Sequence, residues 1–235
     1  MTLGAGSQML LSMLSNARRV RARRGRAPGA GGVRRRERNK EKKLESIVRA
    51  GRALFVQKGF DATTTRAITA KARVAIGTFF LYFREKRDLL FHLFREDVSA
   101  VQEEAFASLP VDAPVVDQLT HVLGHLYAYY GRDPRLSRTF LKELLFLEEG
   151  ERDEMMTLTM SAVVRLAELV ARAKERGEVA RSVDPMQVAT HAFALYLFGL
   201  VAWLNGGIPT PELITAQLEA QLDALMHGIG HRDRG

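Results

Sequence analysis

Between Gly59 and Lys86 the chain carries residues suited to gripping a polyanion. The run Gly59-Phe-Asp-Ala-Thr-Thr-Thr-Arg-Ala-Ile68 sets Thr64, Thr65 and Arg66 side by side. Thr hydroxyls and the free backbone N–H groups of a helix N-terminus make a natural seat for phosphate. Arg66 beside them reaches a phosphate oxygen or a base edge. Thr64 serves equally well as a plain N-cap, a role it can combine with phosphate binding. Further on, Gly77 lets a helix approach a duplex closely, and Thr78 bonds a phosphate or packs on a thymine methyl. Three Phe and one Tyr crowd the five positions from Phe79 to Phe83, and aromatics at helical spacing are usually core.

Little else in the chain suggests chemistry. No nucleophile–base motif, glycine-rich phosphate loop or zinc-helix motif occurs, so an enzyme is not expected and no cofactor is implied. With no Cys, disulfides and thiolate metal sites are excluded. His121 and His125 lie four apart, a spacing repeated by His227 and His231, with Asp117 four before His121. Two imidazoles without a carboxylate partner fixed by sequence are weak grounds for a metal site, and none is expected.

The elements that must position these residues are helices. Pro is scarce, at 7 of 235 residues, and Ala, Leu, Glu and Arg favour helix over strand. Leu44, Ile47, Val48, Gly51, Leu54 and Phe55 form one apolar stripe on a helix beginning near Asn39. Gly59 stops it, and Thr64 or Thr63 caps a brief second helix, Arg66 to Ala72. A turn at Arg73-Val74 leads to a third helix, and a fourth begins at Glu85 with Leu89, Leu90, Leu93 and Phe94 inward. Beyond it, Pro114, Pro134, Pro185 and Pro211 mark helix starts, and Gly131, Gly150, Gly177 and Gly206-Gly207 mark ends. The body is expected to hold five or six helices, with no convincing β alternation. The longest apolar run, Ala192 to Leu204, is too short for a bilayer and reads as a buried helix.

Charge separates the chain by function. Residues 1–43 carry 13 Lys and Arg against 2 Glu, residues 44–90 carry 9 against 4, and residues 91–235 carry 13 against 21. A basic head joined to an acidic body points to a polyanion partner for the head alone. Residues 1–37, rich in Arg, Gly, Ala and Ser, read as a disordered basic arm. A secretory signal is not expected, although the nearly acid-free composition also resembles an organellar transit peptide.

Taken together, Gly59 to Ile68, Val74-Ala-Ile-Gly-Thr-Phe-Phe-Leu-Tyr-Phe83 and Lys86 resemble the TetR-type repressor DNA-binding domain, ungapped from Ile47 to Leu90. The resemblance implies an all-α fold. A three-helix helix-turn-helix domain (38–90) precedes a helical ligand-binding and dimerisation domain (91–235), and the third helix enters the major groove. It implies that Phe80 and Tyr82 face DNA while Phe79 and Phe83 face the core, and that Lys86 clamps a phosphate. Several positions depart from the family pattern. Phe80 replaces the usual Tyr and Thr69 a usual Ala. Arg73 replaces the turn Gly, at about 1 kcal/mol for a left-handed residue, and is able to add a phosphate contact. Ala75 replaces a Ser cap, at about 1 kcal/mol, and Ile76 stands where a polar base reader is common.

In the body, the resemblance implies a homodimer through helices Pro185–Leu204 and Pro211–Gly228. Phe193, Leu197, Leu200, Leu218, Leu222 and Leu225 would sit at that interface. Helices from about Val115 to Tyr130, Leu136 to Phe146 and Arg152 to Lys174 would enclose a small-molecule effector, probed by His121, His125, Tyr129, Phe140, Leu144, Met156, Met160 and Trp203. Methionines with a Trp suit an apolar ligand. The expected protein is a cytoplasmic, ligand-responsive repressor of double-stranded DNA with no membrane partner. The rival is the same fold with decayed operator specificity, favoured by Arg73, Ala75, Ile76 and Phe80. If the arm neutralises phosphates, deleting residues 1–37 will flatten the salt dependence of DNA binding, by roughly 0.9 in slope for each phosphate released. An unchanged slope in a fluorescence titration would count against the arm.

Overall fold

The computed structural model describes residues 30–144, 149–207 and 210–227. The first helix, α1 (Ala30–Lys58), begins ahead of the expected start near Asn39. The Arg- and Lys-rich stretch holds helix because straight-chain residues lose little rotamer freedom there. An exposed Glu37–Lys40 pair at 3.4 Å adds slight local support. Residues 1–29 of the expected arm lie outside the described residues. The chain divides into a unit up to Glu45 and a second unit from Ser46 onward.

Within the second unit, α1 continues to Lys58 and stops at Gly59. This glycine takes the left-handed conformation (φ +83°), and its N–H bonds Phe55 O at 2.9 Å. Such a conformation is nearly free for Gly and costly for other residues. Next come α2 (Thr65–Ala72) and α3 (Ile76–Phe79). Ile47, Phe55, Ile68, Phe79, Leu89 and Leu90 form a fully buried core between these helices and α4 (Lys86–Ala107). The helix α4 runs through the expected boundary at residue 90, so head and body share one element.

The body comprises α5 (Val115–Tyr130), α6 (Pro134–Leu144), α7 (Glu149–Glu175), α8 (Pro185–Leu204) and α9 (Pro211–His227). Phe146, the expected end of α6, lies outside the described residues. Among the described residues there are nine helices and no strand. The helices α7 and α8 pack along each other, as do α5 and α9, while α4 lies against α5.

By length and composition α8 would suffice to cross a bilayer, more than its apolar run suggested. One side of it is nonetheless committed to the protein, with Ala189, Ala192, Tyr196, Leu200 and Leu204 buried. Tyr127 of α5 donates its hydroxyl to Tyr196 O at 2.9 Å. The close approach is possible because residue 199 is Gly; a Cβ there would stand 2.6 Å from the Tyr127 hydroxyl oxygen.

The expected dimer face needs correction. Leu200, Leu218 and Leu222 are at most 1% exposed within the single chain, so they are intramolecular core. Phe193 and Leu225 are half-buried, and Leu197 is exposed. The open side of α8 is instead Met186, Leu197, Phe198 and Val201. A helix apolar all round is buried on several sides, but its periodicity does not say which side its own chain covers.

Gly199→Ala is expected to destabilise the fold by about 1–3 kcal/mol through overpacking, outweighing the roughly 1 kcal/mol helix-propensity gain. Adding Tyr127→Phe removes the clashing oxygen, so urea melts of the double variant should show less than the sum of the two single losses.

Candidate nucleic-acid interface

The DNA-facing candidates are carried by α2, the turn after it, and α3. Thr64 is the N-cap of α2, with extended backbone, and its hydroxyl oxygen accepts the Ala67 N–H at 3.1 Å. The hydroxyl proton stays available to an acceptor outside, so capping and phosphate binding are compatible. Thr65 is half-buried and Arg66 exposed. Thr69, in place of a usual Ala, is buried yet satisfied: its hydroxyl donates back to Thr65 O at 3.0 Å and Arg66 O at 3.1 Å.

The turn is built on Arg73. It is the one non-Gly residue with positive φ among the described residues, at φ 55° and ψ 44°. Its N–H bonds Ala70 O at 3.2 Å, and Val74 N–H bonds Thr69 O at 3.1 Å. This pair of bonds is a Schellman motif, which closes the carbonyl end of α2. From α1, Ser46 adds a hydroxyl bond to Ala72 O at 2.9 Å.

The helix α3 is shorter than the sequence suggested. Ala75 caps it without a side-chain hydrogen bond, as its missing hydroxyl requires. After Phe79 the chain continues in turns, with Tyr82 N–H and Phe83 N–H both bonding Phe79 O at 3.0 Å. Phe79 and Phe83 are buried, while Phe80 is 55% exposed and Tyr82 half-buried. Ile76 is exposed and Thr78 half-buried. A Cβ at Gly77 would meet nothing within 4 Å, so no intramolecular contact requires a glycine there. Leu81, 80% exposed, belongs to the same surface and was missed in the sequence. The helical period that would have placed it breaks at Phe79.

Lys86 requires a second correction. Its Nζ donates to Phe60 O at 2.8 Å, Thr63 O at 3.1 Å and Asp61 O at 3.2 Å, and it lies 4.4 Å from the centre of the Phe60 ring. An ammonium has three donors, and all three are committed. Lys86 is a staple of the loop before α2 rather than a phosphate clamp.

Behind this surface, α1 is tied to the body. Arg52 forms a two-pronged pair with Asp97 of α4 at 2.5 and 2.6 Å. The same carboxylate accepts the Tyr129 hydroxyl at 3.1 Å. The hydrogen bond to Asp97 raises the proton affinity of Arg52. Burial first, and then Asp97, raise that of the Tyr129 phenol. At the end of α1, Arg135 of α6 donates to Lys58 O at 2.9 Å. A cavity of about 180 Å³ lies at this junction, lined in part by Val56, Phe94, Arg132 and Leu136.

The expected effector-lining residues are spread over several places, with Tyr129 and Phe140 meeting at Phe94 and His121 standing beside His125. Tyr129 belongs to the junction just described, and Phe140 is stacked 4.0 Å from Phe94 in the core. Met156 and Met160 are 53% and 47% exposed on the outside of α7. His121 and His125 open on a separate pocket between α5 and α9. Trp203 is buried against Gly131, and Leu144 is half-buried at the end of α6. Spacing identified faces of helices but not the neighbours opposite them.

Residues 47–93 match the family described as bacterial regulatory proteins, tetR family. The HTH-type transcriptional repressor KstR of Mycobacterium tuberculosis is 27% identical over 160 residues, covering 68% of this chain and 70% of the relative. Among solved structures, Thermus thermophilus FadR, a TetR-family repressor in complex with lauroyl-CoA, is 25% identical with a TM-score of 0.66, covering 81% of this chain and 96% of that one. Bacillus subtilis FadR in complex with stearoyl-CoA has the same fold, at 20% identity and a TM-score of 0.65, over 79% of this chain and 99% of that one. An all-helical chain with an N-terminal helix-turn-helix and a helical body defines a class of transcriptional regulators. Residues 47–93 of this chain are a TetR-type helix-turn-helix domain, and the chain as a whole is similar to TetR-family repressors.

Lys86→Met should lower stability in the absence of DNA by about 1–3 kcal/mol, because it orphans carbonyl groups in the loop. Thermal melts of the DNA-free protein decide the matter: a lysine that only touched phosphate would leave the melting temperature unchanged.

Proposed function

We propose that the protein is a homodimeric repressor that grips a palindromic operator and releases it when a fatty acyl-CoA occupies its helical body. The observation that carries the DNA half is the open face of the helix-turn-helix. Arg66, Arg73 and Gly77 are exposed there, Thr78 and Tyr82 are half-buried, and nothing inside the protein requires a glycine at residue 77. Thr64 and Thr65 offer hydroxyls at the α2 N-terminus, where the dipole favours phosphate. Ile76, Phe80 and Leu81 add apolar surface suited to thymine methyls and sugars. Arg73 supplies a charge where Phe80 lacks a hydroxyl.

The dimer rests on the exposed apolar side of α8, with Leu197, Phe198 and Val201 within one and a half turns. A two-fold pairing there would set two recognition helices on successive major grooves. The effector class rests on the lauroyl-CoA and stearoyl-CoA bound by the two similar FadR proteins. Effector action would pass through the ties of α1 to the body, because a ligand acts only by favouring one placement of the head over another. Such a regulator works in the cytoplasm, beside the chromosome.

A second reading, weakly specific DNA binding, draws on Ala75, which caps α3 without a hydrogen bond. Selection from random duplexes separates the two: an enriched palindrome supports a specific operator, and no enrichment supports the second reading. On the selected duplex, lauroyl-CoA should release the protein in a mobility-shift titration, while free coenzyme A and laurate should not. Phe198→Glu should yield a monomer by light scattering, with operator affinity reduced by an order of magnitude or more as bivalency is lost. Arg73→Gly should relieve left-handed strain and raise stability by about 0.5–1 kcal/mol, while lowering the salt slope of DNA binding by roughly 0.9.

A further inference from the structure

Two histidines of α5 have their hydrogen bonds arranged so that each keeps one lone-pair nitrogen. They border an open pocket of about 390 Å³ between α5 and α9, together with Asp117, Thr120, Thr215 and Glu219. His121 Nε2 lies 3.1 Å from Ala105 O and 3.1 Å from Ser108 Oγ. A carbonyl only accepts, so Nε2 carries the proton. Ser108 agrees, because its own proton goes to Glu104 O at 2.8 Å and leaves a lone pair towards the ring. Nδ1 of His121 is therefore the unprotonated nitrogen.

His125 is held the other way round. Its Nδ1 lies 2.8 Å from His121 O and must donate to it, which leaves Nε2 with the lone pair. The two ring centres stand 4.4 Å apart, tilted by 53°. Burial first, and then His125, lower the proton affinity of His121. Thr120 adds a buried hydroxyl oxygen with no hydrogen-bond partner on the same pocket wall.

Metal-bound imidazoles characteristically give their second N–H to a carbonyl or carboxylate, which fixes tautomer and orientation. Both rings here have that support in place. We infer that His121 and His125 form a two-histidine chelate for a borderline divalent cation of the zinc, nickel or copper class. Water completes the shell, with Asp117 or Glu219 joining by a change of rotamer. Among the described residues no three such side chains converge as they stand, so the protein supplies two fixed nitrogens and an open remainder, unlike a closed four-ligand structural site. Nitrogen donors select against calcium and magnesium, which take oxygen. The ion would sit where α5 meets α9 and, through the Ala105 and Ser108 bonds, the end of α4.

The test is a zinc chloride titration of the full chain against a chromophoric chelator at neutral pH. One equivalent of zinc per chain is expected. His125→Gln, which leaves the Ala105 tie intact, should weaken binding about tenfold or more, and the His121→Gln/His125→Gln variant should abolish it. Ser108→Ala, which touches only the outer support, should weaken binding by up to about tenfold with no loss of stoichiometry. Circular dichroism confirms that each variant is folded. Zinc binding by the double variant at the strength of the parent would place the ion on other histidines and overturn the inference, as would failure of the parent to compete for zinc at all.

Discussion

The open face of the helix-turn-helix depends on one ammonium group. Lys86, at the first position of α4, holds the carbonyls of Phe60, Asp61 and Thr63 at 2.8–3.2 Å and packs over the Phe60 ring. Those carbonyls lie in the connection between α1 and α2, where chain ends leave acceptors without partners. One cation therefore fixes three things at once: the exit of α1, the entry of α2 and the start of α4. This matters because α3 is only four residues long and its cap residue, Ala75, makes no side-chain hydrogen bond. A helix of that length is not stable on its own, so its placement has to come from the loop and from Phe79 and Phe83 beneath it.

The second constraint is the attachment of α1 to the body. Asp97 accepts both Arg52 and the Tyr129 hydroxyl, and Arg135 reaches the final carbonyl of α1. Arg52 is 46% exposed and Asp97 23% exposed. The pair contributes little net stability, because partly solvated ion pairs are worth about 0–1 kcal/mol. Its effect is geometric. A two-pronged guanidinium–carboxylate contact has a preferred plane as well as a distance, so a shift of α4 or α5 alters the angle at which α1 is held. Lys86 and Arg135 both place positive charge near the C-terminal end of α1, where the helix dipole favours it. The same end is thus gripped from the head and from the body.

Much of the fold was legible in the sequence because Pro and Gly mark helix ends by covalent restriction. Val115–Tyr130 and Pro185–Leu204 were readable to the residue for that reason. The division of the aromatic run was legible too, with Phe79 and Phe83 inside. Arg73 was readable as a strained turn residue, since the turn demands a left-handed conformation whatever occupies it. Lys86 was not. A lysine before a helix looks the same whether its donors meet phosphate or carbonyls, and only the fold of the preceding loop decides. How the expected effector residues group was not legible for a related reason. His121, Tyr129, Met156 and Trp203 each have a helix face, but which faces meet is set by packing angles that no single helix encodes.

The helix α8 shows how composition and packing divide the work. Its apolar content alone fits a bilayer, a core or an interface between chains. Packing removes the first option for one side, because Tyr127 donates to Tyr196 O and Gly199 admits α5 too closely for lipid to intervene. The other side keeps Phe198 67% and Leu197 40% exposed. Burying apolar surface is worth roughly 25 cal/mol per Å², so two such sides meeting across a two-fold axis would repay their exposure in the single chain. Leu200, Leu218 and Leu222 then serve the proposed pairing indirectly. By fixing α8 against α9 from within, they hold the outer stripe rigid, and a rigid surface loses less entropy on association than a mobile one.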